Sequence, residues 1–359
     1  MGLAQAQAQE QVPFVASRAA QRELPKMLTM LRSILLLSLP ALSQAEAGLS
    51  VFGHKVPDTD AISAAVVYAW ELNSRNIPAT AYRLGELNPE TAYVLKTLDV
   101  LVPPLLGTLE PKAKVAIVDT NNPAELPEGI DKAKIHSIID HHKLNGLTNS
   151  EPLEMDLRPL CSAGSVLYAR AKARNVRPPR QIAGLMLSSI LSDSLEFRSP
   201  TTTDLDKVYA QELAEIAGLD LHKHAEAMLE AKAQIDHLSA EELVMMDTKI
   251  FKIGGKKLRI SVLETTKPAA PLAKQAALVE AQKKLVEKEK LDDVIFFVVD
   301  ILNEAATFIS ASASATKLVE RAWKVKVGKD GTVVLPGVLS RKKQMIPALE
   351  AAAKEEAEL

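Results

Sequence analysis

The sequence predicts an α/β fold with two domains, and three observations lead to this prediction. After residue 48, short apolar runs alternate with stretches of helical periodicity, as in a parallel sheet with helices on both faces. The alternation breaks near residues 237–244, and two short strands joined by Gly254-Gly255 follow, which is a hairpin signature. The 359 residues are enough for two cores. We therefore expect an N-terminal parallel-sheet domain and a smaller C-terminal α/β domain with a mixed sheet.

The N-terminal domain should begin with the strand LSVFGH and the helix DAISAAVVYAWELNSRN. The strands ATAYRL, AKVAIVDT and AKIHSIIDHH follow along the chain. Thr201 or Thr202 is the expected N-cap of the third of four further helices. These helices are expected at residues 162–175, 180–193, 203–217 and 221–233.

The C-terminal domain combines strands with two charged helices. TKIFKI and KLRISVLET form the hairpin, and DDVIFFVVDIL and ATFISASAS read as further strands. PLAKQAALVEAQKKLVEKEK reads as a long helix and SRKKQMIPALEAAAKEEAEL as a closing helix. The expected divisions are an N-terminal extension at 1–48, a first domain at 49–236, a linker at 237–244 and a second domain at 245–359.

The first 48 residues differ in composition from the rest. An Ala- and Gln-rich stretch precedes a segment from about residue 27 to residue 47. The short apolar run within this segment has the length of a signal-peptide core and is too short to span a bilayer. One interpretation is a cleavable leader, which would imply export or organelle targeting. The other is an amphipathic or disordered extension of the mature protein. The sequence leaves both open.

Composition limits the kinds of partner and metal site. The formal net charge is only −2 with both signs interspersed, so no global field would recruit nucleic acid or an anionic membrane. Cys161 is the single cysteine, which excludes an internal disulfide and a cysteine-rich zinc site. A bound metal would therefore need histidine and carboxylate ligands.

Histidines and acids follow the apolar runs where strands are expected to end. His54, Asp58 and Asp60 follow the first strand, and this ligand set suits Mn²⁺, Co²⁺ or Mg²⁺ better than structural zinc. The alternative is an exposed loop in which Asp60 caps the next helix. Asp119 ends another strand, where an acid is also a common turn residue.

Two further clusters strengthen the metal hypothesis. Asp140, His141 and His142 are adjacent at a strand end, and Asp193 closes an apolar helix, where the macrodipole disfavours an acid. Ligands of parallel sheets gather at the carboxyl ends of strands. The clusters together could hold two divalent metals bridged by Asp119 or another acid, an arrangement that activates water for attack on phosphorus.

Basic residues near the C terminus provide a candidate phosphate site. Arg341, Lys342 and Lys343 stand at the start of a predicted helix, where backbone N–H groups also attract anions. Lys249, on the first strand after the linker, is a weaker candidate. An ordinary solvated basic patch is the alternative. If both sites are real, catalysis would take place in the cleft between the domains.

The segments GHKVPDTDAI, DHH, ILSDSLEFRSPTTTDLD and SRKKQ occur in this order and resemble the manganese-dependent (family II) inorganic pyrophosphatases of the DHH phosphoesterase superfamily. The resemblance covers nearly all of the chain after residue 49. It implies hydrolysis of diphosphate to two phosphates by in-line attack of a metal-bridging hydroxide. It also implies at least two Mn²⁺ per subunit with Co²⁺ as an alternative, a further Mg²⁺ or Mn²⁺ accompanying the substrate, a homodimer formed through the N-terminal domain, and a cytoplasmic location.

The resemblance also implies a role for each site residue. One metal would bind His54, Asp58 and Asp119, and the other Asp60, Asp119, His141 and Asp193. The residues expected to contact substrate are His142, Lys249, Arg341 and Lys342. Together with the bridging Asp119, these four are also the expected catalytic residues.

The third motif departs from the family pattern. Asp119-Thr120-Asn121 stands where the family commonly has Asp-His-Asn, so turnover or metal preference could differ. Two alternatives to a pyrophosphatase remain open at this point. One is an exopolyphosphatase of the same superfamily, and the other is a non-catalytic metal- or phosphate-binding protein, which only Thr120 favours.

Overall fold

A five-stranded parallel sheet forms the first lobe of the computed structural model, which describes residues 48–357. Its strand order is β2-β1-β3-β4-β5, and every neighbouring pair is parallel, which confirms the predicted parallel sheet. The sequence did not predict β5. The strands are β1 (Leu49–Phe52), β2 (Ala79–Ala81), β3 (Lys114–Val118), β4 (Lys134–Asp140) and β5 (Glu154–Leu157).

Six α-helices belong to the described part of this first lobe. One face of the sheet packs on helices through buried residues such as Val51, Val118 and Ile139. Phe52 and Ile117 lie in the core of the opposite face, which 3₁₀ turns and loops cover. The helices are α1 (Thr59–Ser74), α2 (Pro89–Thr97), α3 (Ala163–Ala173), α4 (Arg180–Ser194), α5 (Asp204–Ala217) and α6 (Leu221–Lys232).

Two helix starts differ from the sequence prediction. The N-cap of α5 is Thr203, not Thr201 or Thr202, because Thr203 Oγ1 accepts from the backbone N–H of Asp206 and the Asp206 side chain accepts from the backbone N–H of Thr203, which completes a capping box. The N-cap of α1 is Asp58, whose side chain accepts from the backbone N–H of Ala61. The alternative in which Asp60 is the cap is therefore wrong.

The second lobe contains a mixed five-stranded sheet in the order β10-β9-β8-β7-β6. β6 and β7 pair antiparallel across Gly254-Gly255, which confirms the hairpin, whereas β7 and β8 are parallel. The remaining pairs are antiparallel, so the mixed sheet is confirmed. The strands are β6 (Thr248–Ile253), β7 (Lys256–Thr265), β8 (Asp293–Asp300), β9 (Ala305–Ile309) and β10 (Thr332–Pro336).

Helices of the second lobe differ from the prediction in detail. The segment 237–244 contains much of a short helix, α7 (Ala240–Met245), and the predicted long helix is divided into α8 (Ala269–Leu272) and α9 (Gln275–Glu289). The closing helix is α11 (Ile346–Ala357), and α10 (Ala313–Trp323) was not predicted. The prediction of a leader falls outside the described residues. None of the helices within residues 48–357 has the length and apolar character needed to cross a bilayer.

Candidate metal centre and phosphate-binding cleft

Four chain segments of the first lobe bring histidines and acids to one edge of its sheet: the β1–α1 junction and the ends of β3, β4 and α4. The β1–α1 loop carries His54 and Asp58, and Asp60 lies in the first turn of α1. Asp119 directly follows β3 and has a left-handed backbone with φ of 56°, a conformation that aspartate tolerates better than most residues. His141 follows β4, and Asp193 lies in the last turn of α4. The prediction that the clusters meet at strand ends is confirmed by these positions.

We call these residues the acid–histidine cluster: His54, Asp58, Asp60, Asp119, His141 and Asp193. Asp119 stands at its centre because its two oxygens face different histidines. Oδ2 lies 3.3 Å from His54 Nε2, and Oδ1 lies 3.1 Å from His141 Nε2. Asp58 Oδ2 is 3.4 Å from the same nitrogen of His54. Three groups of possible metal ligands result: His54, Asp58 and Asp119; Asp60, His141 and Asp193; and Asp119, Asp140, His141 and His142. Asp119 belongs to the first and third groups and approaches the second through its contact with His141.

The second group is similarly close. His141 Nε2 lies 3.8 Å from Asp60 Oδ2 and 3.6 Å from Asp193 Oδ2. On the opposite side of the ring, Nδ1 is 3.2 Å from the carbonyl of Leu160, so a proton on Nδ1 satisfies this carbonyl and leaves the Nε2 lone pair directed at the acids. Asp60 is held by the backbone N–H groups of Ala163 and Gly164 at 2.6 and 3.0 Å.

The electrostatics of the acid–histidine cluster fit a bound cation. Burial, reinforced by the neighbouring acids, raises the pKa of Asp60 and of Asp193 well above the usual range. Burial and Lys249 act to lower the pKa of His54, but Asp58 and Asp119 outweigh them and the pKa rises to about 10. His54 Nε2 is moreover buried without a well-directed hydrogen bond. A cation bound among these atoms would favour the ionised forms of Asp60 and Asp193, and it would provide a partner for His54 Nε2.

Asp140 and His142 form a hydrogen-bonded unit beside the acid–histidine cluster. Asp140 Oδ1 accepts from the backbone N–H groups of His141 and His142, at 2.7 and 3.1 Å, and lies 2.8 Å from His142 Nδ1. Burial, with Lys249 and His141 adding to it, lowers the pKa of His142 to about 4. His142 is therefore neutral at physiological pH, and its ring is oriented by Asp140.

Cations of the second lobe face the acid–histidine cluster across a cavity of about 470 Å³. We call Lys249, Arg341 and Lys342 the basic wall. Lys249 Nζ lies 3.7 Å from Glu125 Oε2, Arg341 pairs with Asp247 at 2.8 Å, and Lys342 donates to the carbonyl of His141. His142 and four acid–histidine residues, Asp58, Asp119, His141 and Asp193, also line the cavity. The predicted meeting of both sites in one cleft is thus found.

The basic segment differs from the prediction in its backbone. Arg341–Met345 forms a π-helical turn that continues into α11, and Ser340 accepts from the N–H of Lys343 at 3.1 Å. Lys343 also lines the cavity. Burial acts to lower the pKa of Arg341, but Asp247 outweighs it, so the guanidinium stays charged.

Several residues of the cavity wall were missed from the sequence. Glu125 accepts from Thr120 Oγ1 at 2.7 Å, which links the unusual threonine to Lys249. Glu90 and Lys232 are buried and line the same cavity as Asp193. A signal for Glu90 was present, since Asn88-Pro89 directly before it is typical of a helix start.

Comparison with known proteins agrees with this arrangement. A model of the DHH family N-terminal domain matches residues 49–190, and a model of the DHHA2 domain matches residues 226–352. A probable manganese-dependent inorganic pyrophosphatase of Deinococcus radiodurans is 41% identical over 308 residues, which are 84% of this chain and 98% of the relative. The chain belongs to the family II, manganese-dependent inorganic pyrophosphatases. The predicted family is therefore confirmed.

Other family II members give the same result. The manganese-dependent inorganic pyrophosphatase of Bacillus subtilis is 37% identical over 300 residues, covering 83% of this chain and 96% of the relative. The crystal structure of a putative family II inorganic pyrophosphatase of Methanococcus jannaschii aligns with a TM-score of 0.77 at 33% identity. That alignment covers 85% of this chain and all of the other, so the likeness spans both lobes.

Proposed function

We propose that this protein is a Mn²⁺-dependent enzyme that hydrolyses inorganic diphosphate to two phosphates in the cleft between its lobes. The observation that carries the proposal is Asp119, whose two oxygens face two histidines at the base of a cavity with a basic wall. A bridging carboxylate beneath cations is suited to a substrate that carries several negative charges. The names of the family relatives support diphosphate as that substrate.

The donor set fits manganese. Four carboxylates and two imidazoles supply the oxygen and nitrogen donors that Mn²⁺ accepts, and no thiol takes part. His54, Asp58 and Asp119 would hold one ion, and Asp60, Asp119, His141 and Asp193 the other. Bound as a pair, the ions would lower the pKa of a water between them and supply the nucleophile. Co²⁺ would suit the same donors, and a further Mg²⁺ or Mn²⁺ would accompany the substrate.

The protein residues around the cavity bind and orient the diphosphate. Lys249, Arg341 and Lys342 would neutralise its phosphate oxygens, and Arg341 offers a planar fork suited to two of them. His142, neutral and oriented by Asp140, can donate a hydrogen bond from its free ring nitrogen. Contact of both lobes with one substrate would exclude bulk water. Thr120 alters none of these groups directly, which supports an active enzyme.

Phosphate release from purified protein tests the proposal. With Mn²⁺ and diphosphate we expect rapid release, and with long-chain polyphosphate little or none, which separates a pyrophosphatase from an exopolyphosphatase. Asp193→Asn, which removes a proposed ligand charge, should abolish most of the activity. If the wild-type protein releases no more phosphate than Asp193→Asn does, the hypothesis that the protein is an enzyme is refuted.

We further propose that the enzyme is a homodimer formed through the first lobe. The edge strand β5 supports this proposal, because it ends the parallel sheet and Met155 on it is exposed. An unpaired edge can add a strand from a second copy. Analytical ultracentrifugation should give twice the chain mass, and a monomer at micromolar concentration would contradict the proposal.

A further inference from the structure

Glu90, in the first turn of α2, contacts two chain segments that carry acid–histidine residues. Its Oε2 accepts from Thr59 Oγ1 at 2.9 Å and from Ser192 Oγ at 2.7 Å. Thr59 lies between Asp58 and Asp60, and Ser192 directly precedes Asp193. One carboxylate oxygen therefore joins the start of α1 to the end of α4, the two helix ends that supply three of the four acids in the cluster.

Lys232 extends this connection to the second lobe. Its Nζ lies 3.3 Å from the same Glu90 oxygen and 2.8 Å from Glu264 Oε2 on β7. Lys232 is the last residue of α6, so it stands where the first lobe leads into the second. Both Glu90 and Lys232 are buried, and all three side chains line the same cavity as Asp193.

From these contacts we propose that Glu90 is a positioning residue, which holds Asp58, Asp60 and Asp193 in register and, through Lys232 and Glu264, fixes the second lobe over them. The inference rests on the proposed function, in which these acids bind metal. A hydrogen-bonded carboxylate behind ligand-bearing segments restricts the positions that the ligands adopt. Glu90 itself is not a ligand, and it acts through Thr59 and Ser192.

A purely structural role would produce a different pattern, and Glu71 provides the matched control. Glu71 is also a buried glutamate of the first lobe, on α1, and it pairs with Arg170 at 2.8 Å. Its ion pairs lead to arginines and to no acid–histidine residue. Replacing either glutamate by glutamine should destabilise the fold, because each leaves a buried cation with less compensation. Only the Glu90 change should affect metal binding.

The decisive measurement is Mn²⁺ binding to metal-free protein by isothermal titration calorimetry, with the unfolding temperature recorded alongside. We expect Glu90→Gln to weaken Mn²⁺ binding about tenfold and Glu71→Gln to leave it unchanged, while both lower the unfolding temperature. Equal Mn²⁺ affinities in the two variants would overturn the proposal. If Glu90→Gln does not fold, Ser192→Ala replaces it, since it removes one donor to Glu90 and should weaken binding to a smaller extent.

Glu264→Gln tests the connection to the second lobe. We expect a severalfold higher KM for diphosphate with unchanged Mn²⁺ affinity, because the ligand-bearing segments keep Glu90. Glu241→Gln, which breaks the exposed pair with Lys284 inside the second lobe, is the control and should leave KM unchanged. Equal KM values in Glu264→Gln and Glu241→Gln would overturn the proposed connection from Glu90 to the second lobe. The calorimetric result does not need turnover, so a wild-type protein that binds Mn²⁺ without hydrolysing diphosphate would refute the function and still test Glu90.

Discussion

The acid–histidine cluster of the first lobe and the basic wall of the second differ in how they are held. Asp60 and Asp119 are buried within the first lobe, where Asp60 accepts from two backbone N–H groups and Asp119 lies between His54 and His141. Lys249 reaches across the cleft to Glu125, and Lys342 reaches across to the carbonyl of His141. The difference teaches that the proposed metal ligands are preorganised within one lobe, whereas the proposed phosphate contacts depend on both lobes. Substitutions in the two regions should therefore change different measured quantities.

The largest effect is expected at the centre of the acid–histidine cluster. Asp119→Asn keeps the size of the side chain but removes the charge that faces both His54 and His141. We expect phosphate release to fall by at least about 10³-fold and Mn²⁺ binding to weaken at both sites. Steady-state kinetics and calorimetry measure the two effects. The control is Asp131→Asn, at an exposed 3₁₀ turn, and a similar loss there would mean that the effect is not specific to Asp119.

At the basic wall we expect the opposite pattern, in which substitution weakens diphosphate binding but does not weaken Mn²⁺ binding. Lys249→Met removes a buried cation whose charge acts against protonated His54, so Mn²⁺ binding should not weaken. The KM for diphosphate should rise about tenfold or more, because a charged contact to phosphate is lost. Calorimetry gives the Mn²⁺ affinity and initial rates give the KM, and both are measured on the same preparation. Weakened Mn²⁺ binding in this variant would remove the distinction between the two regions.

A smaller effect is expected at Thr120, which follows Asp119 in the chain and is connected to Lys249 through Glu125. Thr120→Val removes the hydrogen bond to Glu125, the acid that faces Lys249. The loss of one hydrogen bond should lower kcat/KM by less than about tenfold. Thr120→Ser keeps the hydroxyl and should restore the wild-type value. Failure of serine to restore it would show that the Thr120 hydroxyl is not the relevant group.

The smallest functional effect is expected at the cap of α5. Thr203→Ala removes the capping box with Asp206 and should lower the free energy of unfolding by about 1 kcal/mol. Mn²⁺ affinity and KM should not change, because neither residue belongs to the acid–histidine cluster or the basic wall. Urea denaturation measures the stability, and Thr201→Ala, at the rejected cap position, serves as the comparison. If Thr201→Ala lowers the free energy of unfolding more than Thr203→Ala does, Thr203 is not the N-cap that stabilises α5.

The strand ends could be predicted from the sequence because local signals define them. An apolar run followed by an acid or histidine gave β1, β3 and β4, and in a parallel sheet these ends must converge. The cap at Thr203 could not be singled out in this way, because Thr201 and Thr203 are both followed by an acid three residues later, Asp204 and Asp206. The three adjacent threonines alone do not distinguish the cap.

Glu90 and Lys232 could not be assigned a role from the sequence. The sequence did not predict α2, and nothing in the predicted helix at 221–233 singles out Lys232. The burial of both residues arises only when α2, α6 and β7 pack around one cavity. Periodicity describes one element at a time, whereas this connection joins three elements and two lobes. The domain boundaries at 236 and 245 stay a prediction. The predicted linker between them contains much of α7, so it is not a structureless connection.

Anomalous diffraction at the manganese edge from crystals grown with Mn²⁺ tests the shared role of Asp119 most directly. We predict two peaks about 3.5–4 Å apart on either side of its carboxylate. One should lie among His54, Asp58 and Asp119, and the other among the second group, Asp60, His141 and Asp193 with Asp119. A single peak, or two peaks of which only one contacts Asp119, would contradict the account.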